Sequence, residues 1–268
     1  MTGFFKRCNV LIMELNFKTF GQGEPLIILH GLFGMLDNWQ TLGKRFAEHF
    51  TVFLEDQRNH GRSPHLPDID YPLLAADLAG FMEQNWVYKA HILGHSMGGK
   101  TAMQFALNHA DMVDKLVVVD IAPRLYSRRH LTIFEALLAL DLQQLTDREE
   151  VEKILRLKID EEGTLQFLMK NLGRDKHGRF RFKMNLEALY QNYDKLLAPV
   201  SGTDTFDHPA LFIRGGKSEH ITDDDFPKIR EMFPQAELAT VAGAGHWVHA
   251  DAPDELFGLV MSFFKNDH

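Results

Sequence analysis

Cysteine is almost missing from this chain: Cys8 stands alone among 268 residues. A lone thiol closes no internal disulfide and offers no thiolate cluster to a metal, so the expected compartment is a reducing one, the cytoplasm. Long apolar runs are missing as well. None approaches the roughly 20 residues that span a bilayer, and Met1 to Met13 has neither the apolar length nor the small-residue cleavage site of a secretory signal. Without a His-Glu-x-x-His or a closely spaced His/Cys set, the sequence gives little support to a catalytic metal, and we expect neither a metal nor a cofactor. Excess positive charge is also lacking. Lys and Arg number 29 against 37 Asp and Glu, a net charge of −8, which argues against general binding to nucleic acid or anionic membrane. What remains is 45% hydrophobic, enough for a large core at a length that normally makes one domain.

The stretch Gly94-His95-Ser96-Met97-Gly98 follows the apolar run Ala90 to Leu93 and precedes the helix-like run Gly99 to Ala106. Five residues of this G-x-S-x-G kind recur by chance in glycine-rich turns. Between a strand and a helix, however, the pattern describes a serine held on a sharp turn with its hydroxyl projecting from a sheet edge. Two further stretches lie where such a serine needs them. Pro25 to Leu29 reads as a buried strand running into His30-Gly31-Leu32-Phe33-Gly34, a turn able to aim the N–H of Leu32 or Phe33 at a developing oxyanion, with Met97 as the second donor. Late in the chain, Ala242-Gly243-Ala244-Gly245-His246-Trp247 follows the apolar run Glu237 to Val241, placing His246 on a glycine-rich loop as a candidate general base.

In this order the three stretches resemble the α/β-hydrolase family over nearly the whole chain. Asp56-Gln57-Arg58-Asn59-His60-Gly61-Arg62-Ser63 is similar to the D-x-R-G-x-G-x-S turn of that family. The His30–Gly34 turn with Asn38-Trp39, and the run Gly94 to Lys100, look most like its YbfF-type esterase branch. The resemblance implies an α/β-hydrolase fold: a mostly parallel eight-stranded sheet flanked by helices, with a helical cap inserted after strand six. Strand-like runs at about 25–29, 51–55, 90–94, 115–121, 209–214 and 236–241 alternate with helix-like segments. That rhythm breaks between Pro123 and Val200. We therefore expect a core of residues 13–122 and 201–268, a helical cap over 123–200, and a disordered extension over 1–12. Apolar runs such as Ile133 to Leu138 and Leu165 to Met169 have helical spacing and read first as cap-to-core packing, with an acyl-chain pocket as the alternative.

The acid partner of His246 is less direct. Most relatives place it after the seventh strand, where this chain has Ser218, following Leu211 to Lys217. A serine stays neutral at pH 7, so Ser218 can orient His246 by a hydrogen bond but cannot stabilise an imidazolium by charge. Asp120, leaving the buried run Val117-Val118-Val119, is the best candidate, an acid after strand six being a known variation in the family. The competing readings are an Asp capping the turn before Pro123, Glu219 as the acid, or the run Asp223-Asp224-Asp225, which fits a helix N-terminus better.

The function expected is hydrolysis of small or medium carboxylic esters through an acyl-enzyme, with acyl-CoA thioesters as an extension. The family also hosts C–C bond hydrolases and cofactor-free haloperoxidases on a similar triad, and a low-turnover ligand-binding sensor is a further alternative; dehalogenases and epoxide hydrolases resemble the fold with Asp where Ser96 stands. Trp39 and Trp247 flank the expected site and read as pocket walls or plain packing. His95 is expected beneath the serine turn, His249 near the last helix or the pocket, and His60 and His65 in solvent. Between Lys170 and Lys183 six cations face one acid, a local charge of +5. Alternation in Arg179-Phe180-Arg181-Phe182-Lys183 puts the cations on one strand face, where Arg179 and Arg181 are candidates for steering a phosphate-bearing acyl carrier, or simply form a solvated surface.

Overall fold

The computed structural model describes residues 13–202 and 204–265, so the expected extension at 1–12 lies outside the described residues. Strands β1 (Phe17–Phe20), β2 (Glu24–Leu29), β3 (Phe50–Glu55), β4 (Ala90–His95) and β5 (Val113–Val119) are followed by a separate hairpin, β6 (Leu172–Arg174) with β7 (Phe180–Phe182), and then by β8 (Ala210–Gly215) and β9 (Ala236–Val241). The main sheet runs β1-β3-β2-β4-β5-β8-β9. Its members pair in parallel except β1, which lies antiparallel on β3. Seven strands, not the expected eight, thus form the sheet among the described residues, and by chain order the break in the rhythm follows the fifth.

The parallel strands are apolar almost throughout because both faces are covered. Alternate residues feed opposite cores. Ile27, Ile92, Val118 and Phe212 pack on one side with Leu78, Phe81 and Phe105 from α2 (Tyr71–Gln84) and α3 (Met97–Asn108). Leu26, Ile28, Leu93 and Ile213 pack on the other side with Leu42 and Phe46 of α1 (Gln40–Phe46) and Val260 and Phe264 of a helix at Pro253–Lys265. The side chain of Asp70 accepts from Leu73 N at 2.9 Å, capping α2 just ahead of Pro72, so the sequence marks this helix start chemically as well as by pattern.

Between β5 and β8 the chain is helical at Leu131–Leu138, Arg148–Arg156, Glu162–Met169, Leu186–Gln191 and Tyr193–Leu197, interrupted by the β6–β7 hairpin. Its buried residues, among them Phe134, Leu137, Leu155, Leu165 and Leu189, share one cluster with Phe33 and Met97 of the sheet unit. Polar contacts fasten the same seam. Lys100, 1% exposed, spends its ammonium on the carbonyls of Arg124 (2.8 Å), Leu197 (3.2 Å) and Ala198 (2.6 Å), tying both stems of the insertion to α3. Burial, then the nearby Arg124 guanidinium, pushes that ammonium down to about 7.

The turn after β3 corrects one expectation. His65 is exposed, but His60 is fully buried against His30, their rings 5.0 Å apart. The loop folds inward because the Asp56 carboxylate gathers Leu36 N at 2.8 Å, Arg62 N at 2.9 Å and Asn16 Nδ2 at 2.7 Å.

Candidate active site

The strands that deliver Leu32, Phe33, Ser96, Asp120, Ser218 and His246 all end at the same sheet edge, the carboxyl ends of the parallel strands, where open α/β sheets place their sites. Ser96 joins β4 to α3 at φ 53° and ψ −118°. Asp120 leaves β5 at φ 53°, also left-handed. Neither is glycine, so each conformation has to be held by its surroundings. Ladder bonds do this: Ser96 N donates to Val119 O at 3.0 Å and Asp120 N to Ile213 O at 2.8 Å. The turn is tight enough that a Cβ on Gly98 would lie 2.4 Å from Leu29 O, which explains the glycine two residues after the serine.

His246 follows β9, with β8 standing between it and Asp120. Its loop reaches Asp120 by crossing the end of β8 at Gly215, where any Cβ would meet Gly245 O at 2.1 Å. The result is a continuous hydrogen-bonded line. His246 Nε2 lies 3.0 Å from Ser96 Oγ, and His246 Nδ1 lies 2.8 Å from Asp120 Oδ2. Asp120 is fully buried. Its Oδ1 accepts from Gly215 N at 2.9 Å and its Oδ2 from Ser218 Oγ at 2.5 Å. Burial raises the Asp120 carboxyl, while the bonds from Ser218 and Gly215 pull it back toward ionisation.

Ser218 therefore differs from its expected role. It bonds the acid, not His246, because the end of β8 abuts the end of β5 while His246 Nδ1 is taken by Asp120. Three of the rival acids are engaged elsewhere: Glu219 pairs with Arg129 at 3.0 Å, Asp223 with Arg214 at 2.6 Å, and Asp225 with Arg124 at 2.9 Å. Sequence reasoning missed His220, whose ring stacks on His246 at 3.8 Å and whose Nδ1 lies 3.1 Å from Ser218 Oγ. The signal was its place two residues past Ser218, on the same turn.

Burial dominates the imidazoles here. It pushes His246 and His220 each down to about 3, the Asp120 carboxylate opposing this at His220. His95 lies beneath the serine turn as expected, Nε2 2.9 Å from His246 O, and burial followed by His246 holds it well below its ordinary value. Asp120, His220 and His246 bring candidate metal-ligand atoms within 4.8 Å of one another. A cation among them would displace the Asp120–His246 hydrogen bond that orients the ring toward Ser96.

Met97 occupies the first position of α3, where a helix leaves its N–H unpaired. Phe33, at φ 61°, lies in the turn after β2 and shares a buried cluster with Met97. The Phe33 carbonyl accepts from Asn171 Nδ2 at 2.5 Å, a contact from a fully buried side chain 138 residues away that sequence reading had no means to find. Two cavities open at Ser96 and share Leu32 and His130. Trp247 lines the larger with Ile133 and Phe167, so part of the apolar pattern read as packing forms its wall. Trp39 lines neither, contrary to the pocket-wall reading. It is 1% exposed and stacks under His249 at 4.5 Å. Arg179 and Arg181 also line neither cavity: the hairpin turns both to solvent, and Arg179 pairs with Asp175 at 2.8 Å.

Residues 24–253 match the family described as alpha/beta hydrolase fold. The chain is 37% identical over 244 residues to Esterase YbfF of Escherichia coli (strain K12), covering 91% of this chain and 94% of that protein. It is 38% identical over 246 residues to the sn-1-specific diacylglycerol lipase ABHD11 of Mus musculus, covering 89% and 80% respectively. A solved structure described as a marine microorganism esterase superposes with a TM-score of 0.92 at 42% identity, covering 94% of this chain and 99% of that one. No helix among the described residues is long and apolar enough to cross a membrane. With this fold, this serine turn and these relatives, the chain belongs to the α/β-hydrolase family, on its esterase and lipase side.

Proposed function

We propose that the protein hydrolyses carboxylic esters through an acyl-enzyme on Ser96. The observation that carries this is the line Ser96 Oγ to His246 at 3.0 Å and His246 to Asp120 at 2.8 Å. Burial keeps His246 neutral at physiological pH, which leaves Nε2 free to accept a proton, and the Asp120 carboxylate at Nδ1 offsets the loss of basicity that burial brings. As Ser96 Oγ attacks the ester carbonyl, its proton passes to His246 Nε2, and Asp120 stabilises the imidazolium. The N–H groups of Met97 and of Leu32 or Phe33 receive the oxyanion. His246 then protonates the departing alcohol, and water, activated by the same ring, releases the acid. Thioesters of phosphate-bearing carriers draw no support from Arg179 and Arg181, which are exposed and line neither cavity.

The test is labelling with a fluorophosphonate followed by peptide mapping, alongside turnover of p-nitrophenyl butyrate at neutral pH. Labelling confined to Ser96 with steady turnover is the expected result; no labelling and no turnover would remove the assignment.

Asn171 enters as a positioning residue, holding the Phe33 carbonyl, and with it the turn that carries the Leu32 and Phe33 N–H groups, from the inserted segment. Asn171→Ala should lower kcat roughly tenfold, the worth of one well-placed hydrogen bond. KM should stay nearly constant, and affinity for a boronate that mimics the tetrahedral oxyanion should fall in step with kcat. A change in KM alone would make the contact structural only.

A further inference from the structure

We infer that the preferred substrates join a short, unbranched acyl group to a bulky, uncharged, apolar alcohol. This deepens the ester-hydrolase reading above and rests on its assignment of Ser96 and His246. The two cavities that meet at Ser96 are unequal, about 40 Å³ and about 190 Å³. Proton transfer decides which end of the ester each one takes. The leaving oxygen must sit within hydrogen-bond reach of His246 Nε2 to collect its proton, and His246 lines only the larger cavity. The alcohol therefore leaves through the larger cavity, and the acyl group occupies the smaller one.

The walls fit that division. Leu32, Met97, Ile121 and Leu196 line the acyl cavity. Ser127 and Arg129 line it as well, Arg129 pairing with Glu219 at 3.0 Å, and its three tyrosines are engaged: Tyr71 Oη donates to Leu196 O at 2.6 Å, Tyr126 Oη to His220 O at 2.5 Å, and Tyr193 Oη lies 2.9 Å from His130 N and Nδ1. The Lys100 ammonium is spent on its three carbonyls. Lengthening the cavity means breaking these ties, so its floor resists a long chain. The alcohol cavity is walled by Ile133, Phe167, Leu168 and Trp247, the Phe167 and Trp247 rings 4.2 Å apart. Glu161 lines it and no Lys or Arg does, which favours a neutral alcohol over a phosphate-bearing one.

A grid of neutral esters tests this: 2-naphthylmethyl acetate, butyrate and octanoate, with ethyl butyrate for comparison, the two alcohols having similar leaving-group chemistry. We expect kcat/KM to fall about tenfold or more from butyrate to octanoate, and to rise by a similar factor from ethyl to naphthylmethyl butyrate. Leu196→Ala should restore octanoate without changing the alcohol preference. Phe167→Ala should erase the naphthylmethyl preference without changing the chain-length limit. Octanoate turned over as well as butyrate by the unmodified protein, or Phe167→Ala shifting acyl preference instead, would overturn the division. If Ser96 still takes a fluorophosphonate label in that same preparation, the esterase reading survives that failure; absence of both label and turnover defeats both.

Discussion

Replacing Ser96 by alanine is expected to lower kcat/KM for p-nitrophenyl butyrate by about four to six orders of magnitude, because a triad acts as a unit and what remains comes from the oxyanion donors and binding. The fold should be untouched. The bonds that hold this residue in its left-handed conformation, Ser96 N to Val119 O and Lys100 N to Ser96 O, are backbone bonds that alanine keeps. The deleted oxygen contacts His246, itself one of the most strongly depressed imidazoles in the molecule. An unchanged thermal melt with lost turnover is the predicted pair of results. Retained turnover would mean that the reaction uses another nucleophile.

Asp120→Asn should cost about three to four orders of magnitude in kcat, as loss of the acid does in comparable triads when the histidine is left in the wrong tautomer. The site makes the substitution severe. Three donors, Gly215 N, Ser218 Oγ and the His246 ring, converge on two carboxylate oxygens. An amide turns one of those acceptors into a donor, opposing donor to donor in a fully buried position, so stability should drop as well, by roughly 1–3 kcal/mol. Glu219→Gln is the control, since Glu219 is exposed and its pair with Arg129 is of the kind worth little. It should change kcat/KM by no more than about twofold. A larger loss from Glu219→Gln than from Asp120→Asn would transfer the acid to the loop after β8.

The two substitutions probe parts of the site that differ in how directly sequence reveals them. The serine turn is legible because its constraints are local: a strand, a left-handed residue and close backbone approach leave a pattern of glycines within five positions. The same holds for the strands, whose continuous apolar runs follow from being covered on both faces. His246 carries a weaker local signal, a glycine-rich loop after an apolar run. Its ring reaches Asp120 only because the loop passes over Gly215.

Ser218, Asn171 and Lys100 were beyond such reading in their actual roles. Each acts on a partner brought close by strand order or by the inserted segment: Ser218 on Asp120 across neighbouring strand ends, Asn171 on Phe33, Lys100 on both stems of the insertion. Trp39 and Arg179 show the converse, since nearness in sequence to active-site loops or a basic run did not place them on a cavity. By itself the sequence determined the fold class, the serine turn and the candidate base, because backbone geometry and two-sided burial write those into short, periodic patterns. Which group Ser218 bonds, which walls surround Ser96 and which of the candidate carboxylates meets His246 were decided by tertiary structure, since contacts between residues a hundred positions apart leave no periodicity along the chain.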